Sequence, residues 1–98
     1  VFVVTITYTA PLERIDALLP AHVAWLDGQY EAGAFLASGR RVPRVGGVIL
    51  ADAESPAALD AILAGDPFAL AGAAEYQVTE FLPTKTAPAL AALAVPSP

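Results

Sequence analysis

A single α+β domain, with four antiparallel strands and two helices on one face, is the fold class that this sequence predicts. Three observations lead to it. Residues 2–9 alternate strictly between apolar and threonine-rich positions, which is the period of a half-buried strand. Apolar residues then recur at helical spacing in two separate stretches, after Pro11 and after Pro56. Strand and helix patterns follow one another as β-α-β-β-α-β within 98 residues, a length that holds one thin core.

The first strand is expected over Phe2 to Thr9. Phe2, Val4, Ile6 and Tyr8 form one face and would take the helices; Val3, Thr5, Thr7 and Thr9 form a semi-polar second face. Pro11 suits the first turn of a helix, and Leu12, Ile15, Leu18 and Leu19 follow at helical spacing. Pro20 lacks a backbone donor and clashes with the preceding turn, so the helix is expected to kink or restart there. A second segment would run to Gly33, a natural terminator, burying Val23, Leu26 and Tyr30. Ala34 to Ser38 reads as a second strand, Gly39 to Arg44 as a basic connection, and Val45 to Ala51 as a third strand. Gly46-Gly47 at its start signals a bulge or a close backbone approach. Ser55-Pro56 is an N-cap followed by proline at the first helical position, and Leu59, Ile62 and Leu63 give the buried stripe. Gly65 ends that helix, Asp66-Pro67-Phe68 makes a tight corner, and Ala73 to Leu82 is the last strand. The domain is expected over 1–83. The Pro- and Ala-rich tail, 84–98, would hold a short helix near Ala87 to Ala94 and a loose end at Pro96-Ser97-Pro98.

Two split βαβ crossovers in this order give the ferredoxin-like arrangement, with both helices on one sheet face and the other face open. Composition fits an open face. Hydrophobic residues make up 56% of the chain and mean hydropathy is +0.58, more apolar than a typical monomer needs. Alanine-rich helices explain part of the excess, and a second copy over the open face would explain the rest, so a homodimer is expected.

Charge and composition exclude several classes. A net charge of −5 opposes nucleic acid, which wants clustered Lys and Arg. There is no cysteine, hence no disulfide framework and no zinc-thiolate site, and a reducing cytoplasm is the expected setting. No apolar run reaches the roughly 18–20 residues of a membrane helix, and no basic stretch followed by an apolar one opens the chain. The chain begins at Val1, so an initiator methionine or a short tag is expected to be missing. One histidine with scattered carboxylates lacks metal-ligand spacing, and no cofactor is expected.

Several short motifs, in order, resemble those of one family. They are His22-Val23-Ala24-Trp25-Leu26, the run from Gly33 to Ser38-Gly39, Gly46-Gly47-Val48-Ile49-Leu50, Asp66-Pro67-Phe68, Ala71-Gly72 and Glu80-Phe81. Together they are similar to the YCII-related family over nearly the whole chain up to Leu82. The resemblance implies a ferredoxin-like fold that dimerises through its sheets into an α/β barrel, with a histidine and an aspartate at the active site. Those map to His22 and Asp66. Most of that family has no assigned reaction. One branch removes chloride from a chlorinated hydroxyquinol, and related barrels include muconolactone isomerases. Where family members often carry Ser-Gly-Pro, this chain has Ser38-Gly39-Arg40, which adds a cation near the strand end.

His22 is the chain's single histidine and shares a helix face with Leu18, Leu19, Trp25 and Leu26, so it should point toward the sheet. Close to a helix start at Pro20, the positive helix end would disfavour imidazolium, while a nearby Asp66 carboxylate would favour it and fix the tautomer. A half-buried core histidine held by one hydrogen bond fits the same spacing. Asp66 before Pro67 also fits ordinary turn capping. On the active-site reading, His22 is the general base and Asp66 orients it. Ser38 would donate a hydrogen bond to a substrate oxygen. Arg40, Arg41 and Arg44 are the basic cluster of an acidic chain: either a solvated hairpin or a clamp for a carboxylate or phenolate. Ser38, Arg40 and Arg44 are therefore the expected substrate-binding set. Trp25, Tyr8 and Tyr76 are expected as core or dimer contacts. Three functions remain open: a cofactor-independent lyase or isomerase, including a dehydrochlorinase-like enzyme, acting on a small aromatic or unsaturated acid; a binding module for a small anionic or aromatic ligand; and a structural dimer.

Overall fold

The computed structural model describes residues 1–96. Strand β1 is Phe2–Tyr8, helix α1 Leu12–Glu31, β2 Phe35–Arg40 and β3 Gly46–Ala51. Helices α2, Pro56–Leu63, and α3, Pro67–Leu70, precede β4, Ala74–Glu80, and a 3-10 helix covers Pro88–Leu93. The four strands form one sheet in the order β2-β3-β1-β4, antiparallel throughout. This is the ferredoxin-like α+β arrangement that the element order predicts.

The period-two pattern of β1 decides which face is covered. Phe2, Val4 and Ile6 are buried and pack with Phe35, Ile49, Ala51, Leu59 and Leu63, so β1, β2, β3 and α2 share one core. Each fully buried large side chain in it contributes roughly 1.5–3 kcal/mol. A second cluster, Ile15, Phe68 and Ala73, joins α1 to the α3 corner. On the opposite sheet face Thr7, Val48, Gln77 and Thr79 are exposed and Thr5 and Leu50 half-buried. Strands β1 and β3 approach closely at Gly46: a Cβ there would lie 1.7 Å from the Ile6 carbonyl oxygen, so only glycine fits. The irregularity in pairing falls in β2, between Phe35 and Ala37, and not at Gly46-Gly47.

Helix α1 runs unbroken through Pro20, so the expected restart does not occur. Pro20 is exposed, so water can take the Asp16 carbonyl that loses its intrahelical partner. Leu26 is only half-buried and Val23 and Tyr30 are 48% and 38% exposed. The covered stripe is instead Ile15, Leu18, Leu19, His22, Trp25 and Leu26. The helix ends as Gly33 foretells: Gly33, at φ +80°, donates to the Tyr30 carbonyl and Ala34 to the Gln29 carbonyl, closing a Schellman motif. Gly39 and Arg40, expected in a connection, extend β2. The corner at Asp66 is a short helix and not a simple turn. Ser97 and Pro98, part of the expected loose end, lie outside the described residues. Among the described residues no helix is long and apolar enough to cross a membrane.

Candidate active site

Asp66 enters the core because its own backbone needs it there. It is the N-cap of α3, with Pro67 at the first helical position, and its Oδ1 accepts from the Phe68 N–H at 3.0 Å. The far end of that short helix is braced to two other elements. Arg14 of α1 donates to the Ala71 carbonyl at 2.6 Å, and Thr9, just beyond β1, donates to the Gly72 carbonyl at 3.3 Å. The carboxylate is thereby delivered, fully buried, beneath the middle of α1.

There it meets His22. Nδ1 of His22 lies 2.7 Å from Asp66 Oδ1. The second carboxylate oxygen, Oδ2, accepts from the Tyr76 hydroxyl at 2.6 Å. The Asp66 carboxylate already accepts from the Phe68 N–H and the Tyr76 hydroxyl, so the His22 tautomer that complements it has Nδ1–H as donor and the lone pair on Nε2. The ring is held from its faces as well: it stacks on Phe68 at 4.1 Å and 14°, with Trp25 at 5.6 Å. Phe68 is in turn met edge-on by Tyr8. His22 sits mid-helix rather than in a first turn, so the positive helix end expected to act on it does not. The Asp66 carboxylate is the charge in contact with the ring.

His22 opens onto a cleft of about 260 Å³ between α1 and the helix-facing side of the sheet. Leu19, Leu26, Ile6, Tyr8 and Phe68 supply mostly apolar walls, and Ser38 and Arg40 supply polar groups at the β2 side. Regular alternation from the buried Phe35 would have turned Ser38 and Arg40 to the opposite face. The bulge after Phe35 resets the phase: Ala37 pairs with Leu50, Ser38 with Ile49 and Arg40 with Gly47. Ser38 and Arg40 therefore lie on the same face as Ile49. The Ser38 hydroxyl is 2.6 Å from the Tyr30 hydroxyl, and Tyr30 rests edge-on against Phe35. Among the described residues the Arg40 guanidinium makes no hydrogen bond to protein.

Arg44, the third expected ligand group, is not brought to the cleft. It is hydrogen-bonded to Asp16 on the outside of α1, and that bond raises its already high proton affinity further. Arg41 donates to Thr7 at 3.1 Å on the open sheet face. The basic cluster is thus split three ways, with Arg40 alone at the cleft. Tyr76, expected as a plain core or dimer contact, is the residue that sequence reasoning missed. Its phenol is pushed well above the usual tyrosine range, first by burial and then by the Asp66 carboxylate, and stays a donor. The signal for it was the period of β4, which sets Tyr76 opposite Ile6 on the helix-facing side. Among the described residues no three His, Cys, Asp or Glu side chains converge as a metal site would need.

No curated protein matches the chain. Among solved structures, the chain is similar to 5-chloro-2-hydroxyhydroquinone dehydrochlorinase from Burkholderia phenoliruptrix, determined in complex with 2,5-dihydroxybenzoquinone. The TM-score is 0.66 at 20% identity, covering 83% of this chain and 93% of that one. That likeness is one of fold. The family model described as the YCII-related domain matches residues 1–82, from the first strand through the close of β4. With four-fifths of its length so matched, and the ferredoxin-like sheet in place, the chain belongs to the YCII-related domain family.

Proposed function

We propose that this chain is a cofactor-independent enzyme, a lyase or isomerase of dehydrochlorinase-like chemistry, acting on a small aromatic or unsaturated acid as a cytoplasmic homodimer. The observation that supports this most is the buried His22–Asp66 contact of 2.7 Å, with the second ring nitrogen left for the cleft. Asp66 holds the Nδ1 proton and stabilises the imidazolium; Nε2 takes a proton from the substrate as the general base. In an elimination the electrons of that C–H or O–H bond move into the ring system. The leaving group departs with its own bonding pair, and Nε2–H is free to return the proton to it or to another carbon. Arg40 holds the anionic oxygen and Ser38 donates a further hydrogen bond. A cleft of about 260 Å³ suits a single ring. The similar dehydrochlorinase, in complex with 2,5-dihydroxybenzoquinone, is consistent with such a ligand. The exposed face with Thr7, Val48 and Gln77 is where the second copy would pack.

The test is turnover of a panel of chlorinated and hydroxylated aromatic acids and quinols by the parent and by His22→Gln. Loss of a general base lowers kcat by about 10²–10⁴-fold. Equal turnover by His22→Gln would refute the assignment. Tight binding of the panel with no turnover by the parent would make the chain a binding module.

A further inference from the structure

We propose that Tyr76 is a positioning residue of this site, its hydroxyl fixing the Asp66 carboxylate and lightening its hold on the imidazolium of His22. The inference rests on the acid–base reading of the His22–Asp66 pair. The geometry divides the carboxylate among three elements: Oδ1 belongs to the α3 backbone and to His22 of α1, while Oδ2 belongs to Tyr76 of β4. Asp66 is fully buried, so Oδ2 has no water to turn to. Tyr76 is its only side-chain donor among the described residues. With both oxygens engaged by different elements, the carboxylate cannot rotate about its Cβ–Cγ bond without breaking a bond on each side.

A donated hydrogen bond also withdraws charge from the acceptor. Each increment of carboxylate charge satisfied by the phenol is unavailable to the imidazolium. A carboxylate shared with Tyr76 holds a proton on His22 less firmly than an unshared one would, which favours the use of Nε2 as a base. The phenol stays a donor across the working range because burial and the carboxylate both oppose its ionisation. The other titratable groups lining the His22 cleft are Tyr8 from β1, edge-on to Phe68, and Arg40 from β2; neither hydrogen-bonds Asp66. A tyrosine that only filled core volume would be silent toward His22.

The experiment is a proton NMR titration of the single histidine in the parent, Tyr76→Phe and Asp66→Asn, together with a protein carrying 3-fluorotyrosine at position 76. Tyr76→Phe should move the His22 midpoint to higher pH by at least about 0.3 unit, a twofold gain in proton affinity. Fluorotyrosine, a more acidic donor, should move it the other way, and it keeps the side chain in place should Tyr76→Phe fail to fold. A midpoint unmoved by both tyrosine changes, or moved in the reverse directions, would overturn the role of Tyr76 even where Asp66→Asn lowers it. A midpoint unmoved by Asp66→Asn would instead sink the His22–Asp66 pair itself.

Discussion

Removal of the Asp66 side chain is the most informative single perturbation of this fold. Asp66→Ala strands three donors: the His22 Nδ1–H, the Phe68 N–H and the Tyr76 hydroxyl. Each buried donor left without a partner costs about 1–3 kcal/mol. Left unpaired together, the three would cost about 3–9 kcal/mol, and water admitted to the vacated space would offset part of that. A domain of this size has only about 5–15 kcal/mol in total, so the variant should sit at the edge of unfolding. Asp66→Asn keeps one acceptor for Phe68 and His22 and presents an amide to Tyr76, which can accept; it should lose only about 1 kcal/mol. The assay is urea unfolding followed by the fluorescence of Trp25, the single tryptophan, which rests on Phe35 and beside His22. Midpoints should separate while the slopes agree. If Asp66→Ala unfolds within about 1 kcal/mol of Asp66→Asn, the three bonds are not what holds this corner.

The raised proton affinity of Tyr76 makes stability depend on alkaline pH. The folded phenol keeps its proton after the unfolded one has lost it, so this contribution is complete below about pH 10 and is lost as pH rises above it. Tyr76→Phe should flatten the decline above pH 10 by up to one proton, measured as urea midpoints across pH; an unchanged slope would show that Tyr76 is not the group responsible. Arg40→Met should weaken binding of a small aromatic carboxylate by about ten- to a hundredfold, read by calorimetry. Arg44→Met should leave binding and the urea midpoint unchanged, because its Asp16 pair is on the surface and screened by solvent. Gly46→Ala forces a methyl into the Ile6 carbonyl and should lower Tm by about 10 °C or more; a normal Tm would mean that β1 and β3 can part without cost.

How far the sequence told this in advance depends on which forces were local. The alternation of β1, the Ser55-Pro56 start and the Gly33 stop are local signals, and each marks a feature of the fold. The meeting of His22 with Asp66 came from the family resemblance, since nothing local links positions 44 residues apart. Pro20 misled because a proline's cost depends on whether solvent can reach the freed carbonyl, which the sequence does not state. Tyr76 was hidden because its polar atom finds a partner from another element, so the residue read as an aromatic core position. Arg40 and Arg44 looked equivalent; only strand phase and the neighbour at Asp16 separate them.

The bulge in β2 makes the ligand-facing chemistry a matter of counting. Upstream of it the strand anchors Phe35 in the core; downstream it offers Ser38 and Arg40 to the cleft. A single residue inserted after Ala37 would invert that second half, turning the hydroxyl and the guanidinium outward and presenting Gly39 and the newcomer instead. The His22–Asp66 contact, built on α1 and α3, would be untouched. On the proposed function, recognition and proton transfer are therefore separable in this scaffold, and a one-residue insertion at an edge strand is a short path by which such a domain could change its ligand while keeping its chemistry.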